Sequence, residues 1–202
     1  MARYLLFTAL LVSFFNLGCA STAQNPANDS ADIMSDNVYE AIIGRNTAKT
    51  DQYSGFYQTF QADITILNSE VQNAVLKRKA GFLQWDDGQL RSEQEKAQQE
   101  AAAYSKFFMR FYTPDNEYDD FHKGKTIWRV YLEYGGSRFE GKVSKVSDKF
   151  VEVKNTFPHF NRFSTPYEIS FNIPMNTIEN GSSKVILTSS LGSAEFKFPV
   201  GK

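Results

Sequence analysis

Apolar and polar positions alternate between Phe56 and Leu67. Phe56, Phe60, Ala62, Ile64 and Ile66 fall on one side; Tyr57, Thr59, Gln61, Asp63 and Thr65 fall on the other. That period of two predicts a half-buried strand. The period then changes. Val71, Val75, Phe82 and Trp85 recur at helical spacing after Asn68 and Ser69, either of which can cap a helix start. Asp86-Asp87-Gly88 interrupts this run, and Leu90 to Ala103 is rich in strong helix formers. Leu90, Ala97, Ala101 and Tyr104 form a thin apolar stripe there. The pattern predicts a helical insertion over residues 69–103, a hairpin or one kinked helix, between the first two strands. Residues 37–47 predict a short helix with Val38, Ala41 and Ile42 on one side.

Strand character returns at Tyr104. Phe107, Met109 and Phe111 alternate with Phe108 and Tyr112, so this strand needs cover on both faces, and the helical insertion can supply one cover. The segment TIWRVYLEY then meets Gly135-Gly136, a pair suited to a type I′ turn because both positions need positive φ. That turn pairs Tyr134 with Ser137, Leu132 with Phe139, Val130 with Gly141 and Trp128 with Val143. It also sets Glu133 opposite Arg138, so one register gives apolar pairs on one face and an ion pair on the other. A short helical stretch near 148–155 precedes a strand over Tyr167–Ile173, which Pro174 ends. A last hairpin turns around Leu191-Gly192, with Val185 and Leu187 facing Ala194, Phe196 and Phe198.

These elements predict a mainly β fold: a two-sheet sandwich of about seven strands carrying the helical insertion. The architecture is similar to immunoglobulin-like and fibronectin-type domains, although the paired cysteines of true immunoglobulin domains are missing. Aromatic content of 15%, with 18 Phe and 10 Tyr, supplies the rings such a core needs. The formal net charge of -1 argues against nucleic acid as a partner. Residues 37–202 read as a single domain.

The N-terminus reads as an address. Tyr4 to Phe15 is an apolar run behind Arg3, too short to span a bilayer and suited to a signal peptide. The run ends in Leu17-Gly18-Cys19, which holds the only cysteine of the chain. Leu17-Gly18-Cys19 resembles the lipobox of bacterial lipoproteins, although Asn16 stands where an aliphatic residue is usual. The resemblance implies removal of residues 1–18, diacylglycerol on the Cys19 sulfur and acylation of the new amino terminus. The membrane is then a partner through lipidated Cys19, in the bacterial cell envelope, and Ala20 after the cysteine implies the outer membrane by analogy. The alternative is cleavage after Ala23 and a soluble secreted or periplasmic chain. Residues 19–36 are small and polar and read as a tether.

Candidate chemistry is sparse. Asp115, Glu117, Asp119, Asp120 and His122 concentrate in one loop, but their spacing fits a polar turn better than a calcium loop. Trp85-Asp86-Asp87 has the residue types of a sugar site, yet fits a core anchor beside a turn. His122 and His159 do not make a zinc set. No metal, cofactor or catalytic residue is expected. The loop Phe157–Pro166 is the best binding candidate, through His159, Phe160, Arg162 and Phe163, since aromatics and Arg dominate interaction hot spots. Its rings can equally pack the end of the sandwich. Three functions follow: a noncatalytic envelope protein acting on a protein partner or as support, a small-ligand or glycan-binding module, and, least favoured, a hydrolase.

Overall fold

A computed structural model describes residues 34–199. The signal peptide, Cys19 and nearly all of the tether lie outside the described residues. The chain orders α1 (Asp36–Arg45), β1 (Thr47–Ser54), β2 (Tyr57–Ile66), α2 (Ser69–Leu83), α3 (Asp87–Ala103) and β3 (Ser105–Tyr112). A 3-10 turn at Asn116–Tyr118 follows, then β4 (Arg129–Tyr134), β5 (Ser137–Glu140), β6 (Lys142–Lys145) and α4 (Phe150–Thr156). The chain continues through β7 (Thr165–Phe171), α5 (Met175–Glu179), β8 (Ser183–Ser189) and β9 (Gly192–Phe198). The fold is mainly β, with a 5-stranded sheet in the order β1-β2-β3-β7-β6 and a 4-stranded sheet in the order β5-β4-β8-β9. All strand pairs are antiparallel.

Two cores flank the larger sheet. Inward side chains of both sheets meet in the first, where Trp128 packs edge-on to Phe60 and Phe111 at 5.1 Å and stacks on Phe121 at 4.8 Å. The second lies on the outer face, where Phe108 of β3 meets Tyr39, Ile42 and Ile43 of α1, Val71 and Ala74 of α2, Val153 of α4, and Phe157 and Phe160. So β3 is covered on both faces, and α2 contributes to the second cover. On α1 the buried face is Tyr39, Ile42 and Ile43, whereas Val38 and Ala41 point to solvent.

The Gly-Gly hairpin forms in the expected register for Tyr134–Ser137, Leu132–Phe139 and Glu133–Arg138, with φ of 56° and 79° at the two glycines. Beyond Glu140 the expectation fails. Gly141 N–H still donates to Val130 O at 2.8 Å, but Val143 pairs Ile169 of β7 and not Trp128. The predicted second arm is therefore two strands in two sheets. Gly141 is the crossing point, and a Cβ there would lie 2.7 Å from Phe171 Cε1.

Three further corrections concern the edges. Thr47–Ser54 forms a strand that the hydrophobic pattern did not announce, so the helices α2 and α3 join the second and third strands, not the first two. Phe56 is not a core residue of that first predicted strand. It sits with Gly55 (φ 62°) in the two-residue turn between β1 and β2 and is fully exposed. Phe82 and Trp85 also stay outside the core, and α2 buries Val71, Ala74 and Ala80 instead. Asp86 starts α3 as its N-cap, accepting from Gln89 N–H at 2.7 Å; α3 buries no side chain.

Candidate functional site

The loop after α4 separates its candidate residues into two groups. Phe157 and Phe160 belong to the second core: Phe157 stacks on Phe108 with centroids 3.6 Å apart, and Phe160 lies 5.5 Å from Phe150. Phe160 is thus a packing residue. His159 stands edge-on to Phe108 at 5.8 Å and to Phe157 at 6.1 Å. Its Nε2 is buried and has no hydrogen-bond partner. Burial, and then the charges of Lys49, Arg110 and Lys154, push its pKa down to about 3. The imidazole is therefore neutral near pH 7 and serves the packing, not proton transfer.

Arg162 and Phe163 turn the other way. Asn161 Oδ1 accepts from Phe163 N–H at 2.9 Å, and Asn161 O accepts from Ser164 Oγ at 2.8 Å. This local turn holds Arg162 exposed and leaves Phe163 78% exposed. Phe163 and Asn161 line a shallow pocket of about 250 Å³ with Gln61, Arg110 and Tyr112.

Register explains why Arg110 is there. Lys49 of β1, Asp63 of β2 and Arg110 of β3 are cross-strand neighbours on the outer face of the larger sheet. Asp63 Oδ1 accepts from Arg110 Nη2 at 3.1 Å, and Lys49 Nζ lies 3.9 Å from Asp63 Oδ2. Asp63 and Arg110 are both buried, and Arg110 Nε has no partner. Alternation alone marks Asp63 as outward-facing, which reads as solvated. Nothing in the pattern of β3 alone distinguishes Arg110 or its pairing; the cross-strand register that sets it opposite Asp63 is the signal.

The acidic loop is a structural turn. Asp119 Oδ1 accepts from Tyr167 Oη at 2.8 Å, and its Oδ2 accepts from Thr165 Oγ1 at 2.5 Å. Burial, and then Asp119, push the Tyr167 phenol up, so it stays protonated and donates. Asp120 Oδ1 accepts from Thr126 Oγ1 at 2.7 Å, and Asp115 Oδ1 accepts from Glu117 N–H at 3.0 Å. Among the described residues no three His, Cys, Asp or Glu side chains are grouped to hold a metal ion, and no helix is long and apolar enough to cross a membrane.

Two other surfaces stand out. A cavity of about 160 Å³ opens between α2 and α4, walled by Leu67, Val75, Phe108, Val153 and Phe157. At the β1–β2 turn, Phe56 is joined by Tyr57, 82% exposed, and Tyr53, 54% exposed. Chemically, the Arg110 pocket offers two rings, two amides and a guanidinium, a set suited to holding a polar ligand rather than to cleaving a bond. No family model, curated protein or solved structure matches this chain.

Proposed function

We propose that this chain is a lipid-anchored protein of the bacterial cell envelope, held at the outer membrane, whose sandwich acts by contact without catalysis. The observation that carries this is Leu17-Gly18-Cys19, the only cysteine of the chain placed where an apolar leader ends. Two signals are needed for durable anchoring, and a diacylated, N-acylated cysteine supplies them. The noncatalytic part is supported by how the polar groups are used: Asp63, Asp119 and Asp120 accept structural hydrogen bonds, and His159 Nε2 is buried without a partner. Labelling cells with a radioactive fatty acid tests the anchor. The label is expected on the native chain and absent from Cys19→Ala; an unlabelled native chain removes the proposal in favour of a soluble secreted or periplasmic form.

We also read the sandwich as immunoglobulin-like, with α2 and α3 inserted in its first connection. With β1 set aside, β2-β3-β7-β6 follows the order A-B-E-D, and β5-β4-β8-β9 follows C′-C-F-G. Trp128, buried just before β4, stands near the place of the strand C tryptophan of that fold. Nuclear Overhauser contacts of Val143 with Ile169 are expected; contacts with Trp128 in their place would remove this reading.

A second reading is favoured by the pocket of Gln61, Arg110, Tyr112, Asn161 and Phe163: a glycan or small-ligand module. Titration calorimetry with envelope glycan fragments tests it. Arg162→Ala and Phe163→Ala should each weaken any binding found, and unchanged affinity in both discards the reading.

A further inference from the structure

We infer that the β1–β2 turn, with Tyr53, Phe56 and Tyr57, enters the interfacial region of a lipid bilayer and fixes how the sandwich sits on the membrane. This rests on the envelope reading for the presence of a bilayer, and it names a second contact beyond the lipid at Cys19.

Three large rings are exposed at one hairpin tip, and Phe56 and Tyr57 are the two most exposed large hydrophobic residues among the described residues. From Gln52 to Ala62 the chain carries no Asp, Glu, Lys or Arg. A solvent-facing tip ordinarily carries charge or small polar residues, and this one carries Phe at its apex. Tyr rings, with their polar handle, settle at the headgroup level of a membrane, and a Phe ring beside them suits the headgroup–acyl boundary. The backbone permits it. Pairing of β1 with β2 continues to Ser54 and Tyr57, with a bulge between Gln52 and Tyr53, so the peptide groups facing across the hairpin are satisfied, while those on the outer edge of β1 find partners in the water and headgroups of the interfacial region.

Neighbours at the same end of the sheet extend the surface. Gln61, four residues along β2 from Tyr57, pairs Tyr112, the last residue of β3, and both line the pocket with Phe163, so Phe163, with the exposed Arg162 next to it in the chain, lies on the tip side of β3. Thr113 Oγ1 donates to Thr59 O at 3.0 Å, tying the base of the hairpin to β3. A ring and a guanidinium side by side suit the boundary between acyl chains and phosphates. A convex tip of this kind is a poor match for a protein partner, since a specific interface takes about 800 Å² from each side. Reach is sufficient: Ala20 to Ile33 can extend to about 45 Å, against about 26 Å for the length of β1, so an anchor at Cys19 lets the tip meet the bilayer.

The test replaces Phe56 by Trp in the full chain and mixes the protein with phosphatidylcholine vesicles at saturating lipid, with and without bromine on the acyl chains. Subtracting the emission of the parent protein removes Trp85 and Trp128. The tip tryptophan is expected to shift to the blue and to be quenched about twofold or more by brominated lipid. Adding Tyr57→Ser and Phe163→Ser should abolish most of that quenching. A water-like, unquenched emission overturns the inference. An unquenched tip that shifts to the blue only with solubilised envelope proteins overturns it in favour of a protein partner. The mass of the same chain reports the acyl groups on Cys19 separately. An acylated chain with an unquenched tip defeats this inference alone; an unacylated chain with a quenched tip supports it and defeats the anchor.

Discussion

Acidification from pH 7 to pH 5 should cost this protein about 2 kcal/mol through His159 alone. The side chain has an ordinary pKa in the unfolded chain but is pushed down to about 3 in the fold, by burial first and by Lys49, Arg110 and Lys154 after it. Between those two values the unfolded chain binds a proton that the folded chain refuses. Stability is therefore complete above about pH 6.5 and falls by about 1.4 kcal/mol for each unit below it. His159→Phe keeps a ring edge-on to Phe108 and Phe157 and deletes the titration. Urea denaturation of both proteins at pH 7 and pH 5 isolates the effect, because the carboxylates they share, including Glu70 and Glu133 with their lowered pKa values, cancel in the comparison. The variant should lose about 2 kcal/mol less than the native chain over this interval. Equal losses in the two proteins would refute the burial argument.

Two other substitutions probe the sheets. Arg110→Ala leaves Asp63 buried with only Lys49 near it, and should cost about 3–5 kcal/mol in urea denaturation. The joint change Asp63→Leu with Arg110→Met should cost far less, and an equal cost would show that packing, not the stranded charge, sets the loss. Gly141→Ala forces a methyl against Phe171 and Ile169, with an expected loss of about 1–3 kcal/mol seen as a lower Tm. Phe171→Leu in that background should recover part of it; no recovery would place the clash elsewhere.

What the sequence made legible was whatever local chemistry decides. The β4–β5 hairpin could be read residue by residue, because Gly135-Gly136 dictates the turn and the turn dictates the register. The helices α2 and α3 follow from caps at Asn68 and Asp86 that need no distant partner. The strand β1 was hidden because TAKTDQYS buries no side chain fully and has no apolar alternation; it exists by pairing with β2. Phe56 misled because alternation is blind to whether a position is core or tip. In the candidate loop, residue types gave His159, Phe160, Arg162 and Phe163, but not that the first two would face the second core and the last two solvent. Asp63 and Arg110 are illegible for a related reason. Their outward positions look wet until the loop after α4, with His159, Asn161 and Phe163, comes beside them.

The crossing at Gly141 has a mechanical meaning. Glu140 ends a strand of one sheet and Lys142 begins a strand of the other, with no slack between them. Sliding β5 along β4 would drag β6 along β7, so neither sheet can shift its register by itself. Amide exchange should then release β4, β5, β6 and β7 as one cooperative block, while α3, which buries no residue fully and reaches the core only through Ala101, exchanges earlier. One residue without a side chain thus acts as a stitch between two layers, and it makes the sandwich respond to load as a single body.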